Sequence, residues 1–189
     1  MTRDASKRRA PAREEVGVVV GLVLILVSIV VPGWFAYQTR ERRMAARADI
    51  FTLLSAGRHF YEEYNVWPSE GSGRVRDPRY GEEVPNAEVI NVLRAVSGPG
   101  NPGHSMNSKR IVFVEVPARV EGWSGLDEEG SFLDPWGTPY QISIDTDLDG
   151  SCDIADSIYA RRIGEGMVVW SCGPDGVSDN TDDILSWAP

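Results

Sequence analysis

Residues 16–31 read VGVVVGLVLILVSIVV, a run without a single charge. Continued through Pro32, Gly33, Trp34, Phe35, Ala36 and Tyr37, the uncharged stretch covers about 23 residues. A helix of that length rises roughly 34 Å, enough to cross a ~30 Å hydrocarbon layer. Arg3, Lys7, Arg8, Arg9 and Arg13 precede it and favour a cytoplasmic N-terminus. Arg40, Arg42, Arg43 and Arg47 follow it, and Trp34 and Tyr37 stand where interfacial aromatics are expected. The expectation is a transmembrane segment at about 16–37. Beyond Pro32 the pattern stays helical. Ile50, Leu53, Leu54, Gly57, Phe60, Tyr61 and Tyr64 recur at three- and four-residue steps. Helix is expected to end at Asn65-Val66-Trp67-Pro68, because proline disfavours helix at the residue before it. The reading is a basic leader at 1–14, one long helix at 15–66 and a globular domain at 67–189.

Composition narrows the functions. The chain has 189 residues, two Cys and two His. That inventory excludes zinc fingers, iron–sulfur patterns and His-based metalloprotease motifs. No Gly-rich phosphate loop is present. The net charge of −9 is unevenly spread. Residues 1–47 hold nine Lys/Arg and four Asp/Glu, whereas residues 145–189 hold two and ten. A basic start and a strongly acidic end argue against nucleic acid as a partner and point to cation binding near the C-terminus.

The rest reads as α+β. Residues 69–85 are loop-like, and 86–96 (NAEVINVLRAV) form a short amphipathic helix. Residues 111–116 (IVFVEV), 138–144 (TPYQISI), 157–162 (SIYARR) and 167–171 (MVVWS) are the candidate strands. A small antiparallel sheet of three or four strands, packed on the second half of the long helix, is the expected architecture.

The chain resembles the type IV pilin and type II secretion pseudopilin superfamily. Val31-Pro32 closes the apolar run, and Glu15 stands 17 residues before Pro32, the family spacing. Phe132-Leu133-Asp134-Pro135-Trp136-Gly137-Thr138-Pro139-Tyr140 is similar to a segment of the major pseudopilins, the protein G family. So is the ending Trp170-Ser171-Cys172-Gly173-Pro174-Asp175-Gly176, then Asp182-Asp183-Ile184 and Trp187. The resemblance implies a subunit anchored in the bacterial inner membrane as a single pass, with its C-terminal domain in the periplasm. It implies assembly through the N-terminal helix into a filament that helps export folded proteins. Other pseudopilins, an inner-membrane platform and a prepilin peptidase would be its partners. Glu15 takes the assembly role in that scheme. The processing point falls at Ala10–Pro11, where the family has Gly and Phe.

Two acidic loops are candidate Ca²⁺ sites. Residues 145–156 (DTDLDGSCDIAD) place Asp145, Asp147, Asp149, Asp153 and Asp156 at positions 1, 3, 5, 9 and 12 of a calcium loop, with Gly150 at 6 and a Ser151 carbonyl at 7. Alternate carboxylates on a tight turn supply the six to eight oxygens calcium takes. The second loop is SCGPDGVSDNTDD, residues 171–183. By resemblance, Asp175, Asp182 and Asp183 would supply carboxylates there, and the backbone near Cys172 and Val177 would supply carbonyls.

Cys152 and Cys172 lie one in each acidic loop. Either a disulfide or two free thiols fits the sequence. No Ser-His-Asp arrangement is indicated, and the chain reads as non-enzymatic. Two further functions fit the same residues: a type IV pilin for adhesion, motility or DNA uptake, and a membrane-tethered calcium-binding domain that never polymerises.

Overall fold

A computed structural model describes residues 13–69, 77–154 and 162–187. Ala10, Pro11, Asp156 and most of the expected 157–162 strand lie outside the described residues. So do the side chains of residues 13–21, Glu15 among them. Among the described residues the α-helices are α1 (Arg13–Tyr64) and α2 (Ala87–Leu93). Its strands are β1 (Arg79–Tyr80), β2 (Gly125–Leu126), β3 (Phe132–Leu133), β4 (Gln141–Ile144), β5 (Cys152–Asp153), β6 (Arg162–Ile163), β7 (Met167–Ser171) and β8 (Ile184–Leu185). Two compact units divide within α1, one ending at Arg40 and the other beginning at Glu41.

One part of the expected architecture is overturned. Among the described residues no helix is long and apolar enough to cross a membrane. The transmembrane stretch at 16–37 is thus not supported, and neither is the single-pass inner-membrane placement that rested on it.

α1 ends where the sequence places it. Asn65 takes a left-handed conformation (φ 55°) while its N–H still bonds to the Tyr61 carbonyl at 2.7 Å. Asparagine tolerates that region better than most residues, and Pro68 then prevents further helix.

In the second unit the main sheet is antiparallel in the order β1-β4-β7-β8. β4 pairs residue for residue with β7, from Gln141 with Trp170 to Ile144 with Met167. One face meets α1 and α2. Ala46, Ile50, Leu53 and Phe60 of α1 pack with Val89, Ile90 and Leu93 of α2 and with Tyr140, Ile142, Ile144 and Val169. The other face carries Cys152, Ile154, Ile163, Val168 and Trp170. Covered on both sides, β4 and β7 are buried at every position. Each large aliphatic or aromatic side chain buried in this way stabilises the fold by roughly 1.5–3 kcal/mol.

Polar groups tie α1 and α2 to the sheet. Asp49 on α1 accepts hydrogen bonds from Ser124 (2.5 Å) and from the Tyr140 hydroxyl (2.8 Å). Burial and the Asp49 carboxylate both push the Tyr140 hydroxyl pKa up, so it stays a proton donor. Asn86, fully buried just before α2, donates to the Phe132 and Tyr140 carbonyls and accepts from the Phe132 N–H.

Two local expectations are corrected. Residues 111–116 form no strand; the Phe113 and Val114 N–H groups bond instead to the Leu93 carbonyl at the end of α2. Residues 69–85 are not wholly loop, since Arg79 and Tyr80 pair with Ser143 and Ile142 at the sheet edge.

Replacing Asn86 with Ala should take their buried side-chain partner from the Phe132 N–H and the Tyr140 carbonyl, while the Phe132 carbonyl keeps the Tyr140 N–H. The expected loss is about 2–4 kcal/mol, read as a lower urea midpoint with an unchanged slope.

Candidate functional site

The acidic loop after β4 begins where that strand leaves the sheet. β1 and β4 are in register with Arg79 opposite Ser143. Carried back two residues, this register sets Asp77 against Asp145, on the face that also carries Cys152. Both carboxylates are buried, with 2% and 5% of their surface exposed. Asp147 is exposed beside them, and the three offer oxygens that all lie within 4.8 Å of one another.

Backbone amides hold these oxygens in place. The Thr146 N–H and hydroxyl donate to Asp77 Oδ1 at 2.7 and 3.0 Å, and the Asp153 N–H donates to Asp77 Oδ2 at 2.9 Å. Asp145 accepts from the N–H groups of Asp149 (3.2 Å) and Gly150 (2.9 Å). Asp147 accepts from Asp149 at 3.1 Å, and Asp149 in turn accepts from the Ser151 N–H and hydroxyl. The tight turn this requires uses positive φ at Leu148 (62°) and Gly150 (87°). Burial pushes the Asp145 carboxyl pKa up, and the Asp77 charge adds to the effect. The three carboxylates offer oxygen ligands only, so the group suits a hard cation.

Asp77 is the ligand candidate that sequence reasoning missed. It stands 69 residues from Thr146, in a stretch read as surface loop, and only strand pairing brings it there. No local spacing signals it. Asp145 and Asp147 are gathered as the loop pattern expects. Asp149 and Ser151 close the turn, and Asp153 contributes its backbone N–H to Asp77.

The C-terminal loop is arranged differently. The Asp175 carboxylate accepts from the Val177 N–H (2.8 Å) and the Asn180 side chain (2.9 Å). Asp183 Oδ2 accepts from the Asp179 N–H at 2.8 Å. The Val177 carbonyl is taken by Asn180. Among the described residues the acidic group whose side-chain oxygens all come within 4.8 Å of one another is Asp77, Asp145 and Asp147. Asp183 Oδ1 is buried with no partner among the described residues. Its carboxyl pKa is pushed up to about 6, first by burial and then by the Asp182 and Asp179 charges.

Asp134 of the Asp-Pro-Trp-Gly turn is fully buried. Its Oδ1 accepts from the N–H groups of Trp136, Gly137 and Thr138, and Ser171 donates to its Oδ2 at 2.6 Å. This motif is a structural clasp that joins the turn to β7.

Cys152 and Cys172 are both free and buried, so the two acidic loops are not joined by a disulfide. The Cys152 thiol donates to the Glu165 carbonyl at 3.0 Å. Burial pushes both thiol pKa values up, that of Cys172 to about 12. Burial of this kind disfavours the thiolate form of both cysteines.

No family model, curated protein or solved structure matches the chain.

The raised Asp183 carboxyl carries a pH signature. Its proton is held more tightly folded than unfolded, so its contribution to stability is greatest in acid and is lost as pH rises to about 6 and beyond. In chelator the melting temperature should fall from pH 5 to pH 7, and Asp183→Asn should flatten that part of the profile.

Proposed function

We propose that the chain is a structural subunit that assembles through its N-terminal helix into a filament of copies, of the kind that type II secretion pseudopilins build. One observation carries the reading. Leu22, Leu24, Ile25, Val27, Val30 and Val31 of α1 are each between 44% and 64% exposed. Six large aliphatic side chains within about three helical turns make a patch that a solitary chain in water rarely leaves uncovered. Helices of neighbouring copies can cover it, at roughly 1.5–3 kcal/mol per fully buried side chain.

The fold of the second unit, a sheet packed on the second half of a long helix, accords with this role. So do the Asp134 turn and the order of the C-terminal motifs. In this reading the filament helps export folded proteins, other pseudopilins and an assembly platform are its partners, and a prepilin peptidase acts at Ala10–Pro11.

Ca²⁺ is the cation we propose for Asp77, Asp145 and Asp147, because the donor set is oxygen only and two of the three carboxylates are buried. When bound, the ion neutralises like charges that otherwise repel and joins the edge strand β1 to the exit of β4. An ion that binds only the folded chain stabilises it by about 2.7 kcal/mol at a hundred times its Kd.

Two outcomes check the proposal. Sedimentation of the full chain should show large particles, and Leu24→Asp with Val27→Asp should leave single chains whose melting is unchanged. Calcium should raise the melting temperature of the wild type, and Asp145→Asn should abolish that rise. A midpoint indifferent to calcium and chelator would remove the ion from the scheme.

A further inference from the structure

A cavity of about 40 Å³ lies between the end of α1 and the start of the acidic loop. Part of its lining is polar: Asp145, Thr146, Asn65 and Ser69. The rest is apolar: Trp67, Val66 and Leu148. Val66 and Leu148 are 41% and 70% exposed, so they stand at its mouth. Leu148 also holds a left-handed backbone (φ 62°). A leucine both strained and open to water carries two costs that nothing in the single chain offsets. Trp67 is a fixed wall. A Cβ added at Gly166 would collide with its indole, so that ring rests directly on backbone. Tyr61 lies against it with ring centroids 4.6 Å apart.

We infer that this cavity takes a primary alkylammonium group, the end of a lysine side chain or of a free alkylamine. Size allows it. A water molecule needs roughly 10–15 Å³ of such space, so there is room for an ammonium nitrogen and the methylenes behind it. Charge selects it. Asp145 has oxygens of Asp77 and Asp147 within 4.8 Å, and residues 145–156 hold five Asp and no Lys or Arg. An anion is repelled there, and a neutral group leaves the Asp145 charge unanswered. An ammonium brings three N–H donors and no acceptor, which suits a lining of carboxylate, hydroxyl and amide residues. The apolar walls decide between an alkylammonium and a bare metal ion. Methylenes gain from lying against Val66 and Leu148, and a cation gains from the Trp67 ring. Calcium at Asp77, Asp145 and Asp147 draws on the same Asp145, so the two cations exclude one another. The calcium reading is needed only for that competition.

The test is saturation-transfer NMR on the full chain in chelator, read on the small molecule so that particle size does not matter. Butylammonium should bind with a Kd on the order of millimolar. Methylammonium should bind roughly tenfold more weakly, having no methylenes for the apolar walls. Tetramethylammonium, equally charged but without donors, should not bind. Asp145→Asn should weaken butylammonium about tenfold or more, with melting in chelator showing the variant folded. Leu148→Gly, at a backbone conformation glycine takes without strain, should narrow the gap between butyl- and methylammonium. Nα-acetyl-lysine methylamide separates the sources: tighter binding than butylammonium assigns a lysine of a polypeptide, and equal or weaker binding assigns a free amine. Saturating calcium should displace butylammonium. The inference is wrong if butylammonium fails to bind, if Asp145→Asn binds it like wild type, or if tetramethylammonium binds as well. It is also wrong if calcium raises the melting temperature through Asp145 and leaves butylammonium in place. If calcium changes neither melting nor an Asp145-dependent butylammonium signal, the ion reading fails and the ammonium site stands.

Discussion

The second unit is organised by a sheet that must be covered on both faces. β4 and β7 are buried at every position, so each needs an apolar layer above and below. α1 and α2 supply one, and the β5–β6 hairpin with Trp170 and Trp187 supplies the other. A strand so enclosed cannot leave its backbone unpaired. That requirement draws in the short edge strands β1 and β8 and the clasps at Asp134 and Asn86. The Asp49 bonds to Ser124 and Tyr140 then hold α1 against this block, where an acid on a helix's inner side would otherwise be costly.

The acidic site is a by-product of the same arrangement. β4 ends at Ile144, and the next residue, Asp145, faces the side that carries Cys152 while still within the protein's interior. β1 pairs with β4 and so sets Asp77 opposite it. Two buried carboxylates are brought together by strand register rather than by a local motif. The Asx-type turns of Asp147 and Asp149, with the amide bonds to Asp145, then orient the loop. The C-terminal acids sit in a loop braced by Asn180 and backbone amides.

Much of the helix was legible in sequence because its signals are local. The apolar steps from Ile50 to Tyr64 and the stop at Asn65 to Pro68 are written in adjacent residues. β7 was readable for the same reason. The run IVFVEV misled because β-branched residues favour extended backbone whether or not a partner strand is present. Here the end of α2 takes two of its N–H groups in place of a strand. The uncharged run at 16–31 also overreached. Length and apolarity describe a helix that avoids water, and they do not name what covers it.

Composition, period and turn chemistry act between neighbours along the chain. They therefore determined by themselves that a long helix precedes a small α+β unit, that its inner face carries Ile50, Leu53 and Phe60, and that acids gather after residue 144. The pairing of Asp77 with Asp145, the separation of the two thiols, and the cavity that Asp145 shares with Trp67 were decided only by the tertiary structure. Each depends on which segments become neighbours in space, and that is set by how one sheet finds cover for both its faces, a quantity no window of sequence contains.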